Sequence, residues 1–242
     1  MDRTIYDAMA AQDSVHWWYV ARRDVLHDLI TRRIAPAPKA RILEIGCGTG
    51  HNLAMLAQFG SVEGSEIDPA SRAMAISRFG PVVGDARLPS LDGIADASFD
   101  LVAILDVLEH VDDDVAALKG IAQRLKPGGR ILITVPQYPW MWTGHDVANH
   151  HFRRYTKATL KTAVNSAGLR LDLLTSFNSL LFPLAAASRF AARISKREGS
   201  NDAMPPSPVN AALRAIFGLE RYLIGRVPMP PGLSLAAIAS LR

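Results

Sequence analysis

The sequence predicts a doubly wound α/β fold on a mainly parallel sheet of seven strands, the last of them antiparallel. Three observations carry that prediction. Short Val/Ile/Leu-rich runs alternate with helical patterns along residues 40–176, the rhythm of βαβ units. Runs such as Phe99–Asp106 are apolar continuously, as strands covered on both faces must be. A glycine-rich turn, Gly46-Cys47-Gly48-Thr49-Gly50, follows the first run directly, at the carboxyl end of the strands, where open α/β sheets bind ligands.

The elements follow in order. Residues 14–34 place Val15, Trp18, Val25 and Leu29 at helical spacing with arginines between, and Pro36 and Pro38 close that helix. Residues 40–46 form the first strand and 61–68 the second. A helix from Pro69 to Arg78 opens on proline, which the first helical turn tolerates. Residues 81–85 and 99–106 are the third and fourth strands. The helix over 112–125 begins among aspartates, which suit the positive end of its dipole, and Lys126-Pro127-Gly128-Gly129 stops it. Residues 130–136 are the fifth strand. Thr156 caps a helix that ends at Gly168, and residues 169–176 are the sixth strand. Residues 177–227 read as helical, broken by Pro183 and by the prolines between 205 and 208, and 232–241 as the final strand. Three regions result: an N-terminal helical cap over 1–39, an α/β core over 40–176, and a helical lid or insertion plus a final edge strand over 177–242.

Composition narrows the class. The 242 residues are 49% hydrophobic and 21% charged, enough for one sizeable core and too apolar for a disordered chain. The single cysteine, Cys47, excludes a disulfide framework and a multi-cysteine zinc site. The polar, acidic start reads as no signal peptide, and no apolar run reaches the roughly 20 residues of a spanning helix. A cytoplasmic protein is expected. Charge is uneven: residues 1–150 carry 14 Lys+Arg against 19 Asp+Glu, and 151–242 carry 13 against 4. The basic last third attracts anions.

The glycine turn discriminates between ligands. A dinucleotide fingerprint wants G-x-G-x-x-G, but His51 stands where its third glycine belongs. The spacing is G-x-G-x-G, preceded by Glu44. A carboxylate there repels a pyrophosphate and favours a ligand carrying an ammonium or sulfonium group. Glu66, 20 residues past Gly46, ends the second strand, where two carboxylate oxygens suit the two hydroxyls of a ribose. Glu44-x-Gly46-x-Gly48-x-Gly50, Glu66, Asp85 after the third strand, the run 99–111 and Leu125–Pro136 together resemble, in order and spacing, the motifs of class I S-adenosylmethionine-dependent methyltransferases. The resemblance covers about residues 40–175. It implies a Rossmann-like fold, S-adenosylmethionine as cofactor, and cofactor contacts from Glu44, Gly46, Cys47, Gly48, Gly50, Glu66, Ile67, Asp85, Ala86 and Asp106. Cys47 reads as a packing residue with its backbone toward the ligand, and His51 as a surface residue at a helix start.

Acceptor chemistry is expected after the fifth strand, where residues 136–155 gather aromatics, two prolines and three histidines. This stretch resembles a methyltransferase subgroup with W-x-x-H-D and H-x-R-R-Y-T segments, here Trp142, His145, Asp146, His151, Arg153, Arg154, Tyr155 and Thr156. The same subgroup tends to carry a His-Trp-Trp near its start, here His16-Trp17-Trp18 followed by Arg22-Arg23. Trp17, Trp18, Trp142, Arg153, Arg154 and Tyr155 are the expected substrate contacts. Methyl transfer to a hydroxyl needs an aligned nucleophile and a base. His145, oriented by Asp146 or another acid, is the first expected base and His151 the second. The competing reading is that His145-Asp146 and Arg153-Arg154 simply knit the loop together.

Asp106, Glu109 and His110 resemble an acidic-x-x-Glu-His stretch of ubiquinone-pathway O-methyltransferases, some of which use a divalent metal. Metal-free relatives carry it too, so no metal is expected and Asp106 is placed beside the cofactor's methionine end. Arg189, Arg193 and Arg197 share a face of an amphipathic basic segment over 177–197, either a lid or a peripheral contact with an anionic membrane. Without a lysine stripe or an RNA-binding module, nucleic acid is disfavoured. The expected activity is O-methylation of a small or lipid-linked, partly anionic acceptor. A non-catalytic nucleoside-binding module, a membrane-surface protein and, less favoured, an NAD-dependent oxidoreductase are the alternatives. The sequence leaves the oligomeric state open.

Overall fold

Apolar runs bounded by turn residues become the strands β1 (Ala40–Ile45), β2 (Gly60–Ser65), β3 (Val83–Gly84), β4 (Phe99–Leu105), β5 (Leu125–Pro136), β6 (Leu169–Phe177) and β7 (Ser234–Leu241) in a computed structural model that describes residues 9–195 and 204–242. They hydrogen-bond in the order β3-β2-β1-β4-β5-β7-β6. Strands β1 to β5 pair in parallel, and β7 runs antiparallel to both β5 and β6. Strand order reverses between β1 and β4, which opens a crevice at their carboxyl ends. The glycine turn leaves β1 at that crevice.

Both faces of the sheet are covered. Alternate residues of a strand face opposite sides, so Leu43, Ile45, Val102, Ile104, Ile131 and Ile133 pack with Leu118, Ile121, Leu160 and Val164. These four belong to helices α4 (Asp114–Arg124) and α6 (Lys157–Ser166). Ile42, Leu101, Ala103, Leu132, Ala236 and Ile238 face the other way, onto Ala21, Val25, Leu26 and Leu29 of helix α1 (Trp17–Leu29) and Phe217 of helix α8 (Ser207–Gly218). Helices α2 (Leu53–Leu56), α3 (Pro69–Phe79), α5 (Gly144–Ala148) and α7 (Phe182–Ser195) complete the chain order. The expected caps are present: Thr156 accepts from Thr159 N, and Gly168 takes φ 82° after α6.

Two expectations need correction. The final strand is not an edge: β7 is inserted between β5 and β6, and seven of its eight residues are buried. Small apolar residues on both parities, Ala236, Ala237 and Ala239 among them, let it be covered on two faces and paired on two sides. Lys126–Gly129 does not separate helix from strand either. Strand β5 starts at Leu125 and absorbs the four residues where its register on β4 shifts between Phe99 and Leu101, with Gly128 at φ 82°.

Candidate active site

The site begins with the glycine turn. Gly46, Gly48 and Gly50 take φ values of 67°, 56° and 84°, a region where a Cβ is strained. Gly46 N and Cys47 N both donate to Ser65 O on β2, at 2.7 and 3.0 Å. Glu66 continues the clamp: its Oε2 accepts from Gly48 N and its Oε1 from Asp68 N, each at 2.8 Å. Burial raises the proton affinity of Glu66, and these backbone donors oppose the rise. Gly48 is buried, yet a Cβ built on it meets nothing within 4 Å. Gly48 therefore leaves open space beside the turn.

Glu44 faces this region from β1. Asn52 Nδ2 donates to its Oε1 at 2.7 Å, while its Oε2 is buried without a partner among the described residues. Burial pushes its carboxyl up to about 8, against the Asn52 hydrogen bond and the Arg22 charge. An orphaned buried carboxylate oxygen beside that open space fits a cationic group on the ligand. Cys47 packs with Leu53, Ala75 and Val83, and burial pushes its thiol up, so it is inert. Ile67 is half-exposed beside Glu66, and Asp85 lies open at the end of β3 with Arg72 3.9 Å away. Ala86 accepts at its carbonyl from Ser65 Oγ.

Helix α1 supplies what sequence reading noted only in passing. Arg22 is 2% exposed, and its Nη2 donates to Asp106 Oδ2 at 2.7 Å and Thr134 Oγ1 at 2.8 Å. Asp106 sits at the end of β4 with φ 57°. Trp18 lies over the Arg22 guanidinium at 5.1 Å, whereas Trp17 turns away onto Phe217. The signal was available: Trp18 and Arg22 are four apart and share a helix face. His51 is half-buried rather than fully at the surface. It meets Tyr19 edge-on at 5.5 Å, and burial plus Arg22, Arg23 and Arg78 depress it to about 3, which keeps it neutral.

The loop after β5 is organised around Asp146, which is fully buried. It accepts from His151 Nδ1 at 2.9 Å, Arg154 Nε at 2.7 Å and Thr143 N at 2.8 Å. These donors hold its carboxyl well below the ordinary range, although burial works the other way. An ionised carboxylate only accepts, so His151 Nδ1 is the donor of this bond. Asp146 thus orients His151 and not His145, which is exposed with its ring 6.4 Å from that of His151. Trp142 stands 6.5 Å from the same ring.

Three expected substrate contacts are instead committed within the protein. Arg154 holds Asp146, Arg153 Nη2 donates to Asp112 O at 2.6 Å, and Tyr155 Oη donates to Asp114 at 2.8 Å. The knitting reading describes the two arginines. Glu109, His110 and His151 bring one ligand atom each within 4.8 Å of one another, so His151 and not Asp106 joins Glu109 and His110. Burial and His151 depress His110 to about 4, and Glu109 Oε2 is buried without a partner among the described residues.

Known proteins share the domain and the fold. Residues 18–174 match the family model described as a methyltransferase domain. A ubiquinone biosynthesis O-methyltransferase of Xanthomonas axonopodis is 29% identical over 187 residues, covering 69% of this chain and 76% of the relative. A chain of the complex between the Haloferax volcanii Trm112 methyltransferase activator and the putative methyltransferase superposes with a TM-score of 0.61 at 22% identity, over 98% of this chain and 96% of that one. A SAM-dependent methyltransferase from Archaeoglobus fulgidus gives 0.57 at 19%, over 90% and 93%. With the sheet order, the glycine turn and a family match across most of the core, the chain belongs to the methyltransferase-domain family and is a class I S-adenosylmethionine-dependent methyltransferase.

Proposed function

We propose that this methyltransferase methylates an oxygen of a small or lipid-linked, partly anionic acceptor, with His151 as the base. The observation that carries the reading is the Asp146–His151 pair, 2.9 Å apart and almost closed to solvent. Glu44, the Gly46–Gly50 turn, Glu66, Ile67, Asp85 and Ala86 hold the cofactor. Glu66 has lone pairs left for ribose hydroxyls, and Ile67 offers an apolar surface for a base. When bound, the cofactor supplies an electrophilic methyl group on a sulfonium. His151 Nε2 takes the acceptor's hydroxyl proton as the oxygen attacks, and Asp146 stabilises the imidazolium that results. Trp142 and Trp18 wall the acceptor space, and the basic last third draws in an anionic acceptor. Being 29% identical to a relative named as an O-methyltransferase supports oxygen as the acceptor atom.

The test is turnover of His151→Ala and His145→Ala on a panel of phenolic acceptors. His151→Ala should lose about 10²- to 10⁴-fold, the usual contribution of a positioned base, with cofactor affinity intact. His145→Ala should stay within a few-fold of the parent. Equal losses, or a sensitive His145, would remove His151 from the role.

A second reading has its own observation: the ligand atoms of Glu109, His110 and His151 lie within 4.8 Å of one another. Oxygen and imidazole donors in that number suit a divalent cation, and Asp146 would then support a ligand His151 rather than a base. Dialysis against a chelator separates the two. Loss of turnover that Mg²⁺ or Zn²⁺ restores favours the metal, and unchanged turnover favours the base.

A further inference from the structure

A base must meet the acceptor from a fixed place, and little within its own loop fixes His151. Helix α5 is five residues long, too short to hold its shape alone. Thr143 caps it, donating to Asp146 Oδ2 from N at 2.8 Å and from Oγ1 at 3.2 Å. Those bonds shape the helix but do not tie it to the sheet.

Arg154 makes that tie. Its backbone belongs to a short extension of β5. The next residue, Tyr155, donates from N to Pro136 O at 2.9 Å and accepts at O from Tyr138 N at 2.8 Å, a parallel bridge opposite Gln137. The Arg154 side chain then reaches in two directions. Nη1 donates to Gln137 O at 3.3 Å, and Nε donates to Asp146 Oδ1 at 2.7 Å. The same Oδ1 accepts from His151 Nδ1 at 2.9 Å. A carboxylate oxygen offers two lone-pair directions, so with Arg154 on one the imidazole is confined to the other. Arg154 is 8% exposed and Asp146 0%, and water barely competes for these bonds.

We infer that Arg154 is the positioning residue of the base: it carries the place of β5 through Asp146 to His151 and so sets where Nε2 stands. The role rests on His151 as the reacting group, as proposed above. It also needs the guanidinium fork. Nε and Nη1 lie in one rigid plane and serve two acceptors at once, whereas a lysine ammonium is a single point on a flexible stem.

Two measurements on the full chain test this. Heteronuclear NMR reads the His151 Nδ1 proton without any acceptor present. The parent should show a downfield, slowly exchanging signal that His151→Ala removes. Arg154→Lys keeps the charge and should keep the amide spectrum of the fold, yet lose that signal. Turnover on the phenolic panel is the second measurement. Arg154→Lys should lower kcat by about 10²-fold, the scale for a misplaced reacting group, with acceptor KM and S-adenosylhomocysteine affinity within a few-fold of the parent. In a His151→Ala background the same substitution should cost nothing further, because the two residues act as one unit. An intact His151 signal or an unchanged kcat in Arg154→Lys overturns the assignment. So does a loss as large in the His151→Ala background as in the parent, because Arg154 would then be only structural. Should Arg154→Lys not fold, the parent decides through the cross-peak between Arg154 Nε–H and His151 Nδ1–H, whose absence overturns the shared oxygen. Failure of the base reading looks different: His151→Ala would keep the parent's turnover while the Nδ1 signal still answered to Arg154→Lys.

Discussion

At the scale of single residues, the site is governed by which buried polar atoms are satisfied and which are not. Glu44 has a pH consequence of definite sign. Its carboxyl is raised to about 8 in the folded chain, so the native state holds this proton more tightly than the unfolded chain does. Its contribution favours the fold below the ordinary carboxylate range, near 4.3, and is lost as pH rises toward 8. Cofactor affinity runs the other way, since the ammonium wants the ionised form. Affinity for S-adenosylhomocysteine should climb from pH 6 to about 8 and then level, and Glu44→Gln should flatten that profile; a flat parent profile would contradict it. The motif residues of this site were legible because glycine spacing and acid placement are local. Arg22 and the choice between His145 and His151 were not. Both depend on which side chains a tertiary fold brings to Asp106 and Asp146, and adjacency in sequence pointed to His145 where the fold sets His151 against Asp146. On a helix as short as α5, neighbours point in different directions, so Asp146 could turn inward while His145 stayed at the surface.

At the scale of elements, strands were read well where their apolar runs were uninterrupted, and helix ends where caps were explicit. The misreadings share one cause: pairing partners are non-local. Nothing within residues 232–241 states that two strands flank them, although apolar residues on both parities hinted at a covered strand. The position of β7 makes a prediction that an edge strand would not. Ending the chain before Ser234 leaves β5 and β6 unpaired on facing sides and strips cover from both cores. Such a truncation should abolish cooperative unfolding and near-ultraviolet circular dichroism. A truncated chain that still melts in one sharp transition would deny β7 its central role. Helix α7 is tied in differently. Buried Glu220 accepts from Ser179 N at 2.6 Å and Leu180 N at 2.8 Å, which fixes the segment leading into α7.

At the scale of the whole molecule, the uneven charge bears on where the protein works. Among the described residues no helix is long and apolar enough to cross a membrane. Arg189, expected on a basic outer face, instead donates through Nη1 to Met141 O in the loop after β5. That contact favours α7 as a lid over the acceptor loop. The Arg193 side chain and Arg197 lie outside the described residues. A lid predicts that Arg189→Glu lowers turnover, and that the parent sediments no better with anionic vesicles than with neutral ones. Preferential sedimentation with anionic vesicles that Arg189→Glu abolishes would move α7 to a membrane surface.

The central claim is a pocket that accepts a sulfonium nucleoside and holds its ribose through Glu66. Calorimetric titration of the parent and of Glu66→Ala with S-adenosylhomocysteine, beside NADH, tests it most directly. The parent should bind S-adenosylhomocysteine and not NADH, and Glu66→Ala should lose about 1–3 kcal/mol, the usual penalty for buried partners left unpaired. Binding of NADH in its place, or an affinity unchanged by Glu66→Ala, would contradict the account.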